Sequence, residues 1–417
     1  MHAVEWLLTH RSRLRRDRTE KVTARVNSDA PTATPRHAAL FVTTVPITLE
    51  AFLVPFAEHF RSLGWRIDAL ANGASAVDHI AEAFDSRYDV PWSRNPLAPG
   101  NLLGTASAIR GIVANGSYDI VHVHTPVAAF VTRYALRDRS AANRPAVIYT
   151  AHGFHFFEGG SAAGNFVYSR MERLAAPWTD YLVTVNAEDF AAARSFGGIA
   201  PEHVRFIPGI GVDTDRFAPG AVSAAEIASV RRGLGIDDAA FMLTIVAEFS
   251  PVKRHAHLLE AFARVQARDA VLVLVGSGPL ESSLRERAVA LGLSDRIRWA
   301  GYRRDIPAVL LASDALVLCS EREGLNRSIL EAMAAGRPVI GTPTRGIADA
   351  ITPETGWIVP KYDVDRLAEA IDEAAGDRTE TARRGAAARV RARTEYALPR
   401  IIGAYEELYC EALSSRV

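Results

Sequence analysis

Short apolar runs alternate along the chain with longer segments whose large apolar residues recur every three or four positions. The runs have the length and composition of strands buried on both faces of a parallel sheet. The predicted strands cover 38–44, 66–71, 118–124, 146–150, 180–186, 204–208, 241–247, 270–275, 296–300, 315–319 and 338–341. Because strands that alternate with helices build parallel sheets, the pattern predicts an α/β fold with doubly wound sheets.

The segments between the runs predict the helices. The first helix is expected to begin after Thr48, whose hydroxyl suits an N-cap position. Further helices are predicted at 101–115, 165–176, 188–196, 257–267, 329–335, 364–374 and 401–413. The alternation restarts in the second half of the chain with the strand predicted at 241–247, which indicates two domains. The family resemblance described below implies a connector near 210–220 and a division into 1–36, 37–215, 216–395 and 396–417, the last being a helix.

Residues 1–36 differ from the rest in charge. They hold eight Lys or Arg and four Asp or Glu, with a basic cluster from Arg11 to Arg18 and a Pro-containing linker at 26–36. No apolar core follows the charges, so the segment does not resemble a secretory signal. It is predicted to be a disordered tail or an upstream-extended start. The alternative is an electrostatic tether to anionic lipid, at roughly 1 kcal/mol per basic residue.

The overall composition is that of a globular enzyme. The 417 residues are 48% hydrophobic and 23% charged with a formal net charge of zero, a balance that does not suggest nucleic-acid binding. The two cysteines, Cys319 and Cys410, are too few and too far apart for a disulfide framework and suit a reducing compartment. Since no stretch of 18 apolar residues occurs, no transmembrane helix is predicted.

The stretch from Ser320 to Ala348 carries the most specific chemistry. A polar turn and the helix at 329–335 follow the strand at 315–319, so the backbone N–H groups of Gly324–Ser328 are expected at a helix N-terminus, where anions bind. Glu323 precedes this turn and Glu331 lies one helical turn inside it. Two carboxylates that bracket an anion site suggest a sugar joined to a diphosphate. The alternative is that both are solvent-facing charges.

Other polar residues follow predicted strands elsewhere. Lys253 and Arg254 lie at a strand-to-helix turn, where they are either diphosphate ligands or exposed basic residues. His152 and His155 belong to a His-Gly-Phe-His-Phe run after the strand at 146–150, at the sheet edge where ligands bind open α/β sheets. These two histidines could instead pack passively in an aromatic lid.

Two further motifs resemble metal sites. His122-Val-His124 places two histidines on one face of a strand, but we find no third ligand at suitable spacing and favour strand-end polar residues. Asp213-Thr-Asp215 resembles an Asp-x-Asp metal motif. We predict no metal there because the surrounding sequence resembles the interdomain connector of the family named below, whose members generally need no metal.

Glu323-x7-Glu331, followed by Ala-Met-Ala-Ala-Gly-x-Pro-Val-Ile, closely resembles the signature of the retaining family 4 glycosyltransferases of GT-B fold. The resemblance extends over about 37–413. It implies two Rossmann-like domains that face a cleft, with the acceptor on 37–215 and the nucleotide-sugar on 216–395. It also implies that the helix at 396–417 crosses back to the first domain.

The resemblance also implies a role for each candidate residue. Glu331 would bind the ribose, and His152 and Glu323 would lie beside the donor sugar as catalytic residues. Tyr302 or Arg303 would contact the nucleobase. Pro46, Thr48 and His155 would lie on the acceptor side. The remaining donor-binding residues would be Lys253, Arg254, Gly324, Leu325, Asn326, Arg327 and Ser328. Glu248 departs from the family, because many members have Arg there, and Arg327 is our candidate for the missing cation.

The His-Gly-Phe-His-Phe run resembles a subgroup that builds capsular polysaccharides, exopolysaccharides and lipid-linked oligosaccharides. This implies transfer of a hexose or N-acetylhexosamine from a nucleotide-sugar, expected to be a UDP-sugar, to a glycan or polyprenyl-linked acceptor. It further implies no metal or other cofactor, and a cytoplasmic protein with peripheral contact to the inner face of the membrane. The alternatives are a nucleotide-sugar epimerase of GT-B fold, which would need no acceptor, and a non-catalytic scaffold.

Overall fold

The computed structural model describes residues 24–26, 35–93, 95, 97–141 and 143–415. The described chain forms two compact units. The first contains the residues up to Ile207 together with those from Ile402 onward, and the second contains Pro208–Ile401. Most of the predicted basic tail lies outside the described residues. Its residues Ala24–Val26 form a short strand.

The first unit is built on an eight-stranded sheet with the order β1-β4-β3-β2-β5-β6-β7-β8. All described neighbours in it are parallel except β1, which pairs antiparallel with β4 at the sheet edge. The central strands are fully buried, as their continuous apolar sequences predict. Its strands are β1 Ala24–Val26, β2 Ala38–Val42, β3 Arg66–Ala71, β4 Ser86–Asp89, β5 Ile120–Val123, β6 Ala146–Ala151, β7 Tyr181–Thr184 and β8 Val204–Phe206.

Helices cover this sheet. They are α1 Pro46–Thr48, α2 Val54–Ser62, α3 Ala106–Gly116, α4 Pro126–Ala135, α5 Ala162–Ala175 and α6 Ala187–Arg194, with π-helical turns at Leu49–Leu53 and Gly100–Thr105. The sequence placed the first helix after Thr48, and this was wrong. The helix begins at Pro46, with Val45 as N-cap, because proline favours the first helical position. We also missed α4, in which seven of ten residues are buried, among them the polar Thr132 and Arg133.

The second unit repeats the architecture on a six-stranded parallel sheet with the order β11-β10-β9-β12-β13-β14. Its strands are β9 Phe241–Val246, β10 Ala270–Val275, β11 Ile297–Gly301, β12 Ala315–Leu318, β13 Val339–Gly341 and β14 Gly356–Ile358. Its helices are α7 Ala224–Gly233, α8 His255–Arg264, α9 Glu281–Ala290, α10 Ile306–Ala312, α11 Arg327–Ala334, α12 Arg345–Ala350, α13 Val364–Gly376 and α14 Arg378–Glu395.

The last helix, α15 Leu398–Ser414, carries its aromatic residues into the first unit. Tyr409 stacks on Phe60 with ring centroids 4.6 Å apart, and Tyr405 meets Phe56 edge-on at 5.4 Å. Both tyrosines are buried. The core of the first unit is therefore completed by the end of the chain.

A buried ion pair links α4 to α5. Nη2 of Arg133 donates to Oε2 of Glu172 at 2.8 Å, and Nε donates to the carbonyl of Ala129. The guanidinium also lies 4.3 Å from the ring centroid of Tyr149. Arg133 is 1% exposed, so its charge depends on these partners rather than on water.

We predict that Glu172→Ala lowers the free energy of unfolding by about 3–5 kcal/mol, because it leaves the Arg133 charge buried and unpaired. Glu369→Ala is the matched control, since Glu369 pairs with Arg366 at the exposed surface and should contribute less than about 1 kcal/mol. Urea unfolding measures both. Equal, small losses would show that the Arg133 pair is not needed for stability.

Candidate active site

The predicted anion site lies where β12 leads into α11. Asn326 is the N-cap of α11, and its Oδ1 accepts hydrogen bonds from the N–H of Ser328 at 2.9 Å and from its hydroxyl at 2.6 Å. The helix thus begins at Arg327, two residues earlier than predicted, because Asn is a strong N-cap. The expectation that the whole 324–328 turn offers free N–H groups was wrong for Ser328, whose N–H is used by the cap.

The predicted ribose ligand, Glu331, is 7% exposed and lies within α11. Arg327 donates to its Oε1 from Nε at 2.7 Å. Burial raises the pKa of Glu331, and the nearby charge of Arg327 opposes that rise. The solvent-facing alternative is therefore wrong for Glu331. The proposed role of Arg327 as a phosphate cation stays a prediction, since its side chain is 43% exposed and contacts Glu331.

Lys253 and Glu323, which are far apart in sequence, meet in the structure. Nζ of Lys253 lies 2.5 Å from Oε1 of Glu323, and the two side chains are 19% and 10% exposed. Lys253 ends a 3₁₀ turn, Pro251–Lys253, after β9, while Glu323 follows β12, which pairs directly with β9. Neither residue is a solvated surface charge. A cation and a carboxylate are thus held together beside the start of α11.

Arg254 has an unusual backbone. Its φ of +53° lies in the left-handed region, which residues other than glycine rarely adopt. The guanidinium lies 4.3 Å from the ring centroid of Tyr362, and Nη1 lies 3.9 Å from Oε2 of Glu321. The alternative that Arg254 is simply an exposed basic residue is therefore wrong. Its side chain is directed by contacts next to Lys253.

A glycine turn supports the segment before Lys253. Gly276-Ser277-Gly278 follows β10, and the carbonyl of Ser277 accepts the N–H of Phe249 at 2.9 Å. A Cβ on Gly276 would lie 2.0 Å from the carbonyl oxygen of Ala247, so only glycine allows this approach. The turn lacks the third glycine of the Gly-x-Gly-x-x-Gly fingerprint that binds dinucleotides, since Glu281 stands at that position. We infer that it fixes the backbone that leads to Lys253.

The two predicted nucleobase residues lie at the end of β11. Tyr302 is 75% exposed. Arg303 is paired with Asp305, with Nε donating to Oδ1 at 2.9 Å. The structure shows an exposed aromatic ring beside an ion pair, and their contact with a base stays a prediction.

His152 lies in the first unit, just after β6, and is half-buried. Its Nε2 lies 3.2 Å from Nδ1 of His124, and the ring of Phe52 is 5.3 Å away. Burial lowers the pKa of His152 to about 4, so the ring is neutral at pH 7. His155, Pro46 and Thr48 also lie in the first unit. The ring of His155 is 5.1 Å from that of Tyr168, and Pro46 and Thr48 are half-buried in α1.

His122 on β5 has both ring nitrogens occupied by protein partners. Its Nδ1 lies 2.5 Å from the hydroxyl of Tyr409, and its Nε2 lies 2.8 Å from that of Thr150. Both histidines are buried, His122 as the penultimate residue of β5 and His124 directly after the strand, which confirms the expected strand-end position. In the part of the chain that the structure describes, no group of three or more His, Cys, Asp or Glu is arranged to hold a metal ion.

Sequence reasoning missed one residue that shapes the anion site. Gly346, in α12, packs directly against the backbone of Gly324, and a Cβ there would lie 1.6 Å from its carbonyl oxygen. The sequence shows this glycine in a Thr-Arg-Gly segment shortly after the strand at 338–341, but the spacing of that segment does not indicate which part of the backbone the glycine approaches. Gly346 therefore fixes the position of the 324–328 turn.

We predict that Gly346→Ala weakens the binding of a nucleoside diphosphate at least tenfold, because the added methyl must displace the turn at Gly324. Gly376→Ala is the control, since a Cβ at Gly376, which ends α13, meets no atom within 4 Å. Isothermal titration with UDP measures both variants. Unchanged affinity in a folded Gly346→Ala protein would show that the turn is not part of the binding site.

Comparisons with known proteins identify the family of the chain. The family model described as Glycosyltransferase Family 4 matches residues 49–216, and that described as Glycosyl transferases group 1 matches 226–391. EpsD of Bacillus subtilis (strain 168) is 33% identical over 340 residues, which are 80% of this chain and 86% of EpsD. An Escherichia coli UDP-Gal:alpha-D-GlcNAc-diphosphoundecaprenol alpha-1,3-galactosyltransferase is 31% identical over 63% of this chain and 67% of its own length.

The fold has solved counterparts. The crystal structure of HepE from Anabaena in complex with UDP and glucose superposes with a TM-score of 0.74 at 21% identity, covering 90% of this chain and all of HepE. At that identity the similarity concerns the fold alone. The two doubly wound units, the glutamate signature and the two matching family models lead to one conclusion: the chain belongs to the GT-B glycosyltransferases of family 4 type.

Proposed function

We propose that this protein is a retaining glycosyltransferase that moves a hexose or N-acetylhexosamine from a UDP-sugar to a lipid-linked or glycan acceptor in cell-surface polysaccharide synthesis. The observation that carries the proposal is the contact between Lys253 and Glu323 beside the start of α11. This contact places three kinds of group at one sheet edge: a cation that could bind a diphosphate, a carboxylate that could bind a sugar, and the N–H groups at the start of a helix. A relative supports UDP and a lipid-linked acceptor, since its name describes a galactosyltransferase that uses UDP-Gal and a diphosphoundecaprenol acceptor.

The donor-side residues explain how a diphosphate could leave. In the structure the ammonium of Lys253 is neutralised by Glu323. A bound diphosphate offers this ammonium a second anionic partner, so that the charge which develops on the leaving oxygen is stabilised as it forms. Arg254 and the N–H groups of the 324–327 turn add positive potential. Glu331 is suited to accept hydrogen bonds from ribose hydroxyls, because it is buried and acceptor-only when ionised.

The proposed reaction is a front-face displacement. The bond between the anomeric carbon and the diphosphate oxygen breaks, and a bond to the acceptor hydroxyl oxygen forms on the same face. The acceptor's proton passes to the leaving phosphate oxygen, and UDP and the glycosylated acceptor are the products. The chain's residues bind and orient the donor in this scheme. It assigns no residue as a covalent nucleophile and requires neither a metal ion nor another cofactor.

Nucleotide binding and turnover test the proposal together. UDP should raise the melting temperature more than GDP or ADP, because the nucleotide that binds more tightly stabilises the native state more. A ligand at 100 times its Kd stabilises the native state by about 2.7 kcal/mol. Glu331→Ala should remove the selective shift. Lys253→Ala should lower turnover of a UDP-sugar about 10- to 150-fold, the equivalent of a charged hydrogen bond worth roughly 1.5–3 kcal/mol.

Arg268→Ala is the control for Lys253→Ala, because it removes one exposed positive charge from the same unit. NMR of the product's anomeric proton tests retention directly, and an inverted product would refute the front-face mechanism. If no nucleotide shifts the melting temperature of the folded protein, the glycosyltransferase proposal itself fails.

The first unit also has a surface that suits contact with a membrane. Phe166, Val167 and Leu174 are 60%, 49% and 55% exposed on one face of α5, and Arg170 lies between them. The acidic residue of this helix, Glu172, points inward to Arg133. An apolar stripe with added positive charge matches the chemistry of an anionic lipid surface. Among the described residues, no helix is long and apolar enough to cross a membrane.

The start of α5 is tied to the end of the His-Gly-Phe-His-Phe run, because the N–H of Phe157, the next residue, donates to Oδ1 of Asn165 at 3.1 Å. A membrane bound at α5 would therefore lie beside the segment expected to meet the acceptor. We propose peripheral attachment to the inner face of the cytoplasmic membrane through this stripe, which we define as Phe166, Val167, Arg170 and Leu174.

We predict that the protein sediments with vesicles that contain phosphatidylglycerol and that a Phe166→Ser/Leu174→Ser double variant does so at least fivefold less. Val289→Ser/Val390→Ser is the control, since these two valines are 68% and 63% exposed in the second unit. Binding that survives the double variant but disappears at high salt would instead favour the basic segment before residue 37. Wild-type protein that stays in the supernatant would contradict membrane contact altogether.

A further inference from the structure

Two hydrogen-bonded pairs connect the ends of β5 and β6. His122 is hydrogen-bonded to Thr150, and His124 is hydrogen-bonded to His152. In the register of the two strands His122 lies opposite Ile148. Each histidine therefore contacts the residue that lies two positions beyond its opposite neighbour, a diagonal contact. His124, at 3% exposed, is thus the protein group that holds one ring nitrogen of the half-buried His152.

The unpaired atom of His124 reveals where its proton lies. Its Nε2 is buried and has no hydrogen-bond partner among the described residues, while its Nδ1 contacts His152. A neutral imidazole has one N–H donor and one lone pair. Because a buried N–H without a partner is rarer than an under-satisfied acceptor, the unpaired Nε2 carries the lone pair. The proton of His124 is therefore on Nδ1, where it donates to Nε2 of His152.

This assignment fixes the tautomer of His152 as well. Its Nε2 accepts the hydrogen bond from His124, so its own proton must be on Nδ1. Burial keeps both rings neutral, since it lowers the pKa of His152 to about 4 and that of His124 well below its usual value. Nδ1 of His152 has no partner in the described part of the chain, which leaves its N–H available to a ligand.

We propose that His124 is a positioning residue that holds His152 in the Nδ1–H tautomer, so that His152 acts as a hydrogen-bond donor to a substrate oxygen and not as a general base. The inference deepens the proposed function and rests on it for the identity of the substrate. It agrees with a displacement in which a phosphate oxygen, not a histidine, takes the acceptor's proton. A base would need the Nε2 lone pair, which His124 occupies.

The end of the chain supports this arrangement from behind. The ring of His122 lies 4.0 Å from that of His124, centroid to centroid. His122 is held by the hydroxyl of Tyr409, and its other partner, Thr150, is held by that of Tyr405 at 3.0 Å. Both tyrosines belong to α15. The titratable neighbours of the His124–His152 pair are thus a third histidine and two buried tyrosines, all uncharged near neutral pH.

Ring-nitrogen NMR of the ¹⁵N-histidine-labelled protein tests the tautomer without any substrate. We expect His152 to show a protonated Nδ1 and an unprotonated Nε2, with the signals assigned from a His152→Gln sample. A protonated Nε2 on His152 would overturn the proposal. Because this experiment needs neither donor nor acceptor, its outcome is independent of whether the proposed reaction is correct.

Two isosteric variants test the function of the contact. The amide nitrogen of Asn reaches about the position of imidazole Nδ1, whereas that of Gln reaches Nε2. His124→Asn should therefore keep the donor to His152 and retain near wild-type kcat, while His124→Gln should lower kcat about 3- to 10-fold, the value of one neutral hydrogen bond. His203→Gln is the control, since His203 lies elsewhere in the same unit, with its ring centroid 4.7 Å from that of Tyr181.

If His124 had a purely structural role, the kcat of both variants would fall by similar amounts, and each fall would follow the loss in melting temperature. Equal kcat values for His124→Asn and His124→Gln would therefore refute the positioning role. If the wild-type protein transfers no sugar at all, the proposed function fails, and the tautomer assignment is then judged by NMR alone.

Discussion

Each unit depends on the hydrogen bonding of parallel strands, which brings every strand-to-helix turn to the same edge of its sheet. In the second unit β9 and β12 pair directly although 68 residues separate the end of one strand from the start of the other. Lys253 and Glu323 leave these two strands and meet at 2.5 Å. The same rule places His124 and His152 side by side after β5 and β6. Sheet order therefore determines which distant side chains can share a site.

The charged residues of the proposed donor site are paired with one another. Lys253 contacts Glu323, Arg327 contacts Glu331 and Arg303 contacts Asp305. Such pairs reduce the desolvation penalty of partly buried charges and hold their side chains in place. A ligand must therefore offer partners that at least match those it displaces. A phosphate and a ribose can do so, whereas an uncharged sugar cannot, and this favours recognition through the nucleotide part of a donor.

The sequence predicted the parts of the fold that depend on local pattern. Strands such as β3 and β10 were placed at their observed bounds, because their apolar runs end at turn residues. Helix α4 was missed, and its buried residues include Thr132 and Arg133, which are residue types that seldom indicate a core helix. The glutamate signature identified Glu323 and Glu331, but not the Arg327 and Lys253 contacts. The role of His124 was equally hidden, since it depends on strand register, which no local spacing contains.

The packing of α15 has a consequence for how the protein is made. Tyr405 and Tyr409 complete the core of the first unit, yet they follow the whole second unit in the chain. During synthesis Phe56 and Phe60 cannot pack against these tyrosines until the second unit has been translated. Domains generally fold in the order of their synthesis. Here all residues of the second unit are synthesised before Tyr405 and Tyr409 can complete the core of the first unit. The unit that is synthesised first is therefore the last to reach its native state.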